Sequence, residues 1–146
     1  MGDQASERMH VAATPQRCFE VAADIEHYPQ WASEIKEVNI VERDSLERPL
    51  VVHFRTAAFG RSTSYTLRYD YSKGPHSLSW KLIEGDMNKL DGCYEFDANS
   101  DGGTEVTYHL EVELRAPMPG FIKTRAQSRI MTAALDDLKA QAESCD

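Results

Sequence analysis

The chain has 146 residues, of which 41% are hydrophobic and 27% charged, as expected for one globular domain that buries its own core. Its 24 acidic and 16 basic residues give a formal charge of −8, which argues against direct nucleic-acid binding, because phosphates are bound by clustered lysine and arginine. No apolar run approaches the roughly 18 residues that span a membrane. The polar amino terminus lacks the apolar core of a secretory signal, and three widely spaced cysteines match no zinc-ligand pattern. We therefore predict a cytoplasmic protein without a metal or cofactor.

The amino-terminal region predicts an edge strand followed by two short helices. Residues 8–13, RMHVAA, alternate as an edge strand does. Thr14 and Pro15 have the types of an N-cap and a first helical residue, so a helix is expected to about Ala23. The next residues, 23–31, hold carboxylates, a histidine and aromatic residues. We interpret this cluster as architecture rather than an acid/base or metal site, because adjacent side chains do not converge on one point.

From residue 37 onward the hydrophobic period becomes two, which indicates an antiparallel sheet with one buried face and one wet face. The expected strands are 37–44, 50–57, 62–71, 78–83, 90–97 and 104–114. The last of these places one side toward the core: Val106, Tyr108, Leu110, Val112 and Leu114. His109 then lies on the wet face among glutamates, and Arg68 lies opposite the tyrosines of its own strand.

The sequence allows more than one orientation for His53 and Arg55 and more than one role for Phe59 and Met87. His53 and Arg55 alternate on one strand and face either the interior or solvent, although Val52 and Phe54 form the better inward pair. The segments TAAFGRS and EGDMNKL place Phe59 and Met87 at turns between strands. Such apolar side chains form a lid over a pocket, touch a membrane, or cap the open end of the core.

A long helix is predicted from about Pro119 to Ser144, since this segment contains no internal proline. Its apolar stripe repeats mainly every four residues: Ile122, Ala126, Ile130, Met131, Ala134, Leu135, Leu138 and Ala142. The stripe needs a partner of similar length, and the apolar face of the sheet is the one available. The inward residues are rich in large aromatics, which either line a small-molecule pocket or fill a solid core.

The segment from Trp80 to Phe96 reads W-x-L-x2-G-x4-L-x-G-x3-F. Together with FEVAADIEHYPQW upstream and the long terminal helix, it resembles the START-like polyketide cyclase/dehydrase (SRPBCC) superfamily. Within that superfamily, it is most similar to the branch of coenzyme-Q-binding START proteins and ribosome-association toxins. The resemblance covers about residues 8–143 of one domain, 1–146. It implies an α+β helix-grip (START/Bet v 1-like) fold, in which a curved antiparallel sheet of six to seven strands wraps around the terminal helix and encloses a deep cavity.

No shared set of catalytic residues comes with the resemblance, and we assign none. The expected cavity lining combines the inward phase of the strands with the helix stripe, and the resemblance implies that the short helices cover one end of the cavity. The predicted lining residues are Tyr28, Trp31, Phe54, Phe59, Tyr65, Leu67, Tyr69, Trp80, Leu82, Met87, Tyr94, Tyr108, Leu110, Met118, Ile122, Ile130, Met131 and Leu135.

The favoured function is a binding or carrier protein for a hydrophobic small molecule such as a lipid, a quinone or a polyketide-like compound, with transient membrane contact allowed. One alternative is a polyketide aromatase/cyclase or dehydratase in which Tyr65, Tyr69 and Tyr108 donate hydrogen bonds to an enolate oxygen. The strand phase places no general base inside the cavity, which favours binding. Another alternative is a ribosome- or protein-interaction module. The sequence does not decide the oligomeric state.

Overall fold

A curved sheet and one long helix enclose the core of the protein. The structure is a computed structural model that describes residues 3–58, 61–115 and 119–144. Its helices are α1 (Pro15–Ala23), α2 (Tyr28–Trp31) and α3 (Gly120–Glu143), with a 3₁₀ turn at Ile25–His27. Its strands are β1 (Asp3–Val11), β2 (Ile35–Arg43), β3 (Pro49–Ala58), β4 (Arg61–Asp70), β5 (Ser77–Gly85), β6 (Met87–Ala98) and β7 (Thr104–Leu114).

The seven strands form one antiparallel sheet in the order β1-β7-β6-β5-β4-β3-β2. The edge position predicted for β1 is confirmed, but the strand begins at Asp3 rather than residue 8. Its whole length pairs with β7, from Asp3 opposite Val112 to Val11 opposite Thr104. This ladder pairs the backbone groups of a polar segment that face β7, so the segment needs no apolar pattern to become a strand. The α+β helix-grip architecture is confirmed.

The two glycines of the Trp80–Phe96 motif allow close approach between neighbouring strands. A Cβ on Gly92 would lie 2.6 Å from the carbonyl oxygen of His109 and 2.7 Å from the Trp80 ring. A Cβ on Gly85 would lie 2.6 Å from the Cβ of Tyr65. Contacts this short exclude a side chain at both positions. The motif therefore sets the placement of two aromatic side chains, Trp80 and Tyr65.

Helix α1 begins as predicted. The Thr14 side-chain oxygen accepts a hydrogen bond from the Arg17 backbone N–H at 3.2 Å, and Pro15 occupies the first turn. Cys18 and Ala22 are buried, whereas Phe19 is half-buried and packs edge-on against Phe96. The helix thus closes one end of the core.

The buried face of α3 differs from the predicted stripe at its amino-terminal end. The buried residues are Gln127, Met131, Leu135, Leu138 and Ala142. Ile122 is 43% exposed, so its predicted place in the cavity lining is wrong. Each helical residue turns by about 100°, and a repeat of four therefore drifts by about 40° per step. Over the four steps from Ile122 to Leu138 the drift reaches about 160°, which carries Ile122 to the opposite side of the helix.

The carboxyl-terminal half of α3 is fixed to the rest of the domain by polar contacts. The Arg17 guanidinium donates to the carbonyl oxygens of Gln141 and Ala142 at 3.1 and 3.2 Å. The Ala12 backbone N–H donates to Glu143 at 2.7 Å, and Lys139 donates to the carbonyl oxygen of His10. These contacts hold one half of the helix, while its first turn carries the exposed Phe121. No helix among the described residues is long and apolar enough to cross a membrane.

Strand β3 turns Val52 and Phe54 toward the core and His53 and Arg55 away from it. Val52 and Phe54 are buried, and Arg55 is exposed and pairs with Glu37 at 3.2 Å. His53 also lies on the outer face, where its Nδ1 is 2.9 Å from the Thr66 hydroxyl. Neither His53 nor Arg55 therefore enters the space between the sheet and α3. The predicted outward position of Arg68 is confirmed by its exposure.

Candidate functional site

Aromatic rings occupy much of the space between the sheet and α3. Tyr94 and Tyr108 have ring centroids 4.8 Å apart, and Trp80 contacts Tyr69 at 5.9 Å. A continuous series of ring contacts runs through Trp31, Tyr28, Phe54, Tyr69, Trp80, Tyr94, Phe96 and Phe19. The aromatic residues thus form a packed core, but that core is not completely filled.

A cavity of about 120 Å³ remains between the rings and α3. The structure brings twelve of the predicted lining residues together in its wall: Tyr28, Trp31, Phe54, Tyr65, Leu67, Tyr69, Trp80, Met87, Tyr94, Tyr108, Leu110 and Ile130. That these residues bind a ligand stays a prediction. Pockets that hold drug-sized ligands have about 300–1,000 Å³, so a larger occupant requires the wall to move apart.

The remaining predicted lining residues lie elsewhere. Met131 and Leu135 are buried in the core beside the cavity, and Leu82 is half-buried against the core. Phe59 and Met118 lie outside the described residues. Met87 does line the cavity, yet it opens β6 and is buried, so the loop-tip position suggested by the sequence is wrong for this residue. Its pairing with Leu114 draws it into the sheet.

Sequence reasoning missed seven residues of the wall, of which only Ile35 and Leu90 are large and apolar: Ala32, Glu34, Ile35, Thr56, Leu90, Ala134 and Asp137. Thr56 follows Phe54 by two residues, so the inward phase of β3 was a usable signal for it. Ala134 and Asp137 follow Ile130 by four and seven residues, which places them on the same side of α3. Ala134 was part of the predicted apolar stripe but was left out of the expected lining, and the polar Asp137 was not considered.

Thr56 carries an unsatisfied hydroxyl in the cavity wall. The residue is 2% exposed, and its Oγ1 is buried without a hydrogen-bond partner among the described residues. The Tyr65 hydroxyl is its neighbour, and this contact with Thr56 partly opposes the rise in the pKa of Tyr65, although the geometry falls short of a hydrogen bond. A buried hydroxyl without a partner costs about 1–3 kcal/mol. A polar atom of a ligand at this part of the wall would therefore gain a hydrogen bond with Thr56.

Burial keeps the cavity tyrosines neutral. Removal from water is the main cause that raises the pKa of Tyr65, Tyr69, Tyr94 and Tyr108 far above the usual value for a phenol. Neutral phenols donate hydrogen bonds and do not act as bases near neutral pH. The Tyr28 hydroxyl is already used, because it donates to the carbonyl oxygen of Ala22. Tyr28 is thus a fixed wall residue.

The mouth of the cavity lies between α3 and the segment after α2. Its half-buried residues are Trp31, Ala32, Glu34, Ala134 and Asp137. The Asp137 carboxylate accepts hydrogen bonds from both the backbone N–H and the hydroxyl of Ser33, each at 2.9 Å. This pair of hydrogen bonds ties α3 to the segment after α2, and we call it the Ser33–Asp137 latch.

Breaking the latch is expected to speed ligand exchange. Replacing Asp137 with alanine removes two hydrogen bonds to a charged group, each worth at most about 1.5–3 kcal/mol net of solvent exchange and less here because both bonds are exposed. We expect the dissociation rate of an apolar fluorescent probe to rise about tenfold in stopped-flow measurements. Asp136→Ala is the matched control, because Asp136 is the exposed neighbour on the same helix. Equal rates for both variants would show that the mouth lies elsewhere.

Comparisons with known proteins decide the family of the chain. The family model for polyketide cyclase / dehydrase and lipid transport matches residues 3–143. The chain belongs to this family. Membership supports a role in binding a hydrophobic ligand or in polyketide cyclisation. A comparison with curated proteins found no match.

Solved structures agree with this membership at the level of the fold. A START superfamily protein from Mycobacterium smegmatis has 23% identity and a TM-score of 0.89, covering 96% of this chain and 97% of its own. The Zhui aromatase/cyclase from Streptomyces sp. R1128 has 17% identity and a TM-score of 0.85, covering 98% and 94%. A major latex-like protein from Panax ginseng has 13% identity and a TM-score of 0.77, covering 98% and 99%.

The groups that line the cavity can make apolar contacts and donate hydrogen bonds. Its deep wall consists of hydrocarbon, aromatic rings and neutral hydroxyls, while the carboxylates of Glu34 and Asp137 stand at the mouth. Neutral donors can orient or polarise a carbonyl group. A base positioned deep among the rings is absent from the described lining residues. The arrangement suits recognition of an apolar molecule that carries one or a few oxygen atoms.

Proposed function

We propose that the protein binds and carries a hydrophobic small molecule that bears a polar oxygen group. The molecule occupies the cavity between the sheet and α3, with its apolar part against the aromatic rings. Its oxygen faces Thr56 and Tyr65. The family and the neutral, base-poor wall support this proposal, since binding needs apolar contact and a few directed donors rather than an acid/base pair.

The Thr56 hydroxyl is the observation that carries the proposal. A threonine buried to this degree normally has a hydrogen-bond partner. A ligand oxygen would supply that partner and remove the cost of the unsatisfied group. A purely hydrocarbon occupant would leave the cost in place, so the proposal favours ligands with a carbonyl or hydroxyl group.

Thr56→Val tests this assignment, because valine keeps the shape of threonine and removes its hydroxyl. We expect the free variant to be as stable as the wild type or more stable by about 1 kcal/mol, since it loses an unsatisfied buried hydroxyl. Affinity for an apolar probe with a carbonyl group should fall about tenfold. Affinity for a hydrocarbon probe of the same size should stay unchanged. Thermal unfolding and fluorescence titration provide the two readouts.

Thr66→Val is the matched control for this experiment. Thr66 is also a buried threonine of the sheet, but its hydroxyl contacts His53 Nδ1 on the outer face. We expect this variant to lose stability and to keep the affinity of the wild type for both probes. A Thr56→Val variant that behaves in the same way would show that the hydroxyl of Thr56 has no role in ligand recognition.

Catalysis is the second candidate function, and the fold shared with an aromatase/cyclase favours it. Under this candidate, Tyr65, Tyr69 and Tyr108 donate to the oxygen of a poly-β-ketone during ring closure. Their raised pKa values mean that each hydroxyl keeps the proton that it would donate. Replacing the three tyrosines with phenylalanine should then change the products formed from a reactive polyketone, while identical products from wild type and triple variant would leave binding as the function.

A further inference from the structure

Three residues with metal-binding side chains converge on the outer face of the sheet, away from the cavity. Cys93 and Glu95 are two residues apart on β6 and therefore point to the same face. His109 on β7 lies directly opposite Cys93. One ligand atom from each side chain lies within 4.8 Å of the other two, and His109 Nε2 is 3.3 Å from Glu95 Oε1.

The imidazole of His109 is held in place from its other side. Ser6 on β1 is the cross-strand partner of His109, and its Oγ lies 2.6 Å from His109 Nδ1. The hydrogen bond at Nδ1 turns Nε2 toward Cys93 and Glu95. Metal-bound histidines are oriented by the same kind of contact on their second nitrogen. Four side chains on three neighbouring strands thus form one arrangement.

We propose that Cys93, Glu95 and His109 bind a divalent cation of the zinc class. Thiolate, imidazole and carboxylate are all zinc ligands, and a mixed set of three leaves a fourth tetrahedral position for water or another small ligand. The sequence predicts no metal site because the ligands come from two strands and share no short spacing. Pairing between β6 and β7 brings them together.

The surroundings allow a cation to reach the three residues. The side chains of His109 and Glu95 are 30% and 46% exposed, and Cys93 is half-buried. A surface groove of about 690 Å³ runs along this face and includes Cys93 and His109 in its wall. The site is therefore accessible from solvent while its ligands stand on rigid strands.

The thiol of Cys93 is protonated before the cation binds. Burial is the largest cause that raises the pKa of Cys93, the Glu95 carboxylate adds to it, and Lys73 opposes it in part. Coordination replaces the thiol proton with the metal ion, and the proton is released to solvent. The bound ion then carries one thiolate and one carboxylate, which balance its two positive charges.

Cobalt(II) titration tests the site directly. A cobalt–thiolate bond gives a charge-transfer band in the near ultraviolet, and four-coordinate cobalt gives intense visible bands. Cys145→Ser serves as the background variant, which removes the terminal thiol and should keep both signals. In this background, Cys93→Ser should abolish the charge-transfer band, and Glu95→Gln should weaken binding at least tenfold. Ser6→Ala should weaken binding about tenfold while keeping the band.

His76→Gln is the matched control, because His76 belongs to a histidine–carboxylate pair that includes no cysteine. His76 pairs with Asp97 at 3.6 Å on an exposed surface, and its replacement should leave the cobalt signals unchanged. Zinc should displace cobalt and remove the bands, and circular dichroism should show that each variant is folded. A wild-type spectrum without a thiolate band would overturn the proposal. A band that survives Cys93→Ser would overturn it as well.

Discussion

Replacing Ala134 with phenylalanine is expected to lower the affinity for apolar ligands at least 100-fold, or about 2.7 kcal/mol. Ala134 lies on the cavity side of α3 beside Ile130 and Asp137. An added aromatic ring takes up most of a cavity of about 120 Å³, so no room remains for a ligand. The variant should lose at most about 1–3 kcal/mol of stability through overpacking.

Ala140→Phe is the matched control, because Ala140 is exposed on the same helix. Titration with an apolar fluorescent probe should give wild-type affinity for Ala140→Phe and little binding for Ala134→Phe. Thermal unfolding monitors the fold of both variants. Wild-type affinity in a folded Ala134→Phe variant would place the ligand outside this cavity.

Alkaline pH is expected to unfold the protein cooperatively between about pH 11 and 12. All six tyrosines have a raised pKa, and the main cause in each is burial. Four of the five with strongly raised values are buried in the core and Tyr65 is half-buried against it: Tyr28, Tyr65, Tyr69, Tyr94 and Tyr108. Tyr71, at the edge of the core, has its pKa raised to about 12.

Proton linkage determines that stability falls as the pH rises. In the unfolded chain the phenols ionise near pH 10, while in the folded protein they remain neutral to higher pH. Their contribution to stability is thus complete below pH 10 and is lost as the pH rises toward the folded values. At pH 11 five such groups together lower the free energy of unfolding by about 7 kcal/mol relative to its value at neutral pH. A loss of this size is comparable with the whole stability of a small domain.

Absorbance of tyrosinate and circular dichroism, followed together, measure this transition. The two signals should change at the same pH, because the buried phenols ionise when the core opens. Tyr108→Phe should move the midpoint upward, since it removes one of the titrating groups. Ionisation near pH 10 in a protein that stays folded would show that the core tyrosines are accessible to water.

The period of two along the middle of the chain predicted the sheet well, because alternation follows directly from strand geometry. It also predicted which face of β4 and β7 is buried. Phe54 and Val52 favoured the observed phase of β3, and the structure confirms it. The limits of β1 were wrong because a polar edge strand is stabilised by backbone pairing that its own residues do not reveal.

The site could be predicted only where its residues are apolar. Large aromatic residues such as Tyr69 and Trp80 predict the buried face of a strand. Thr56 does not, because a threonine is equally common on the exposed face. Ile122 shows the opposite error, since a stripe that repeats every four residues rotates around the helix and leaves the core. Cys93 and His109 are sixteen residues apart in sequence, and only the register of β6 and β7 makes them neighbours.

Native mass spectrometry of the gently extracted protein tests the central claim most directly. We predict that the wild type carries an apolar compound with at least one oxygen atom, and that the folded Ala134→Phe variant purified in parallel does not. A wild-type protein that is always empty, and that also fails to bind apolar fluorescent probes, would contradict a carrier function.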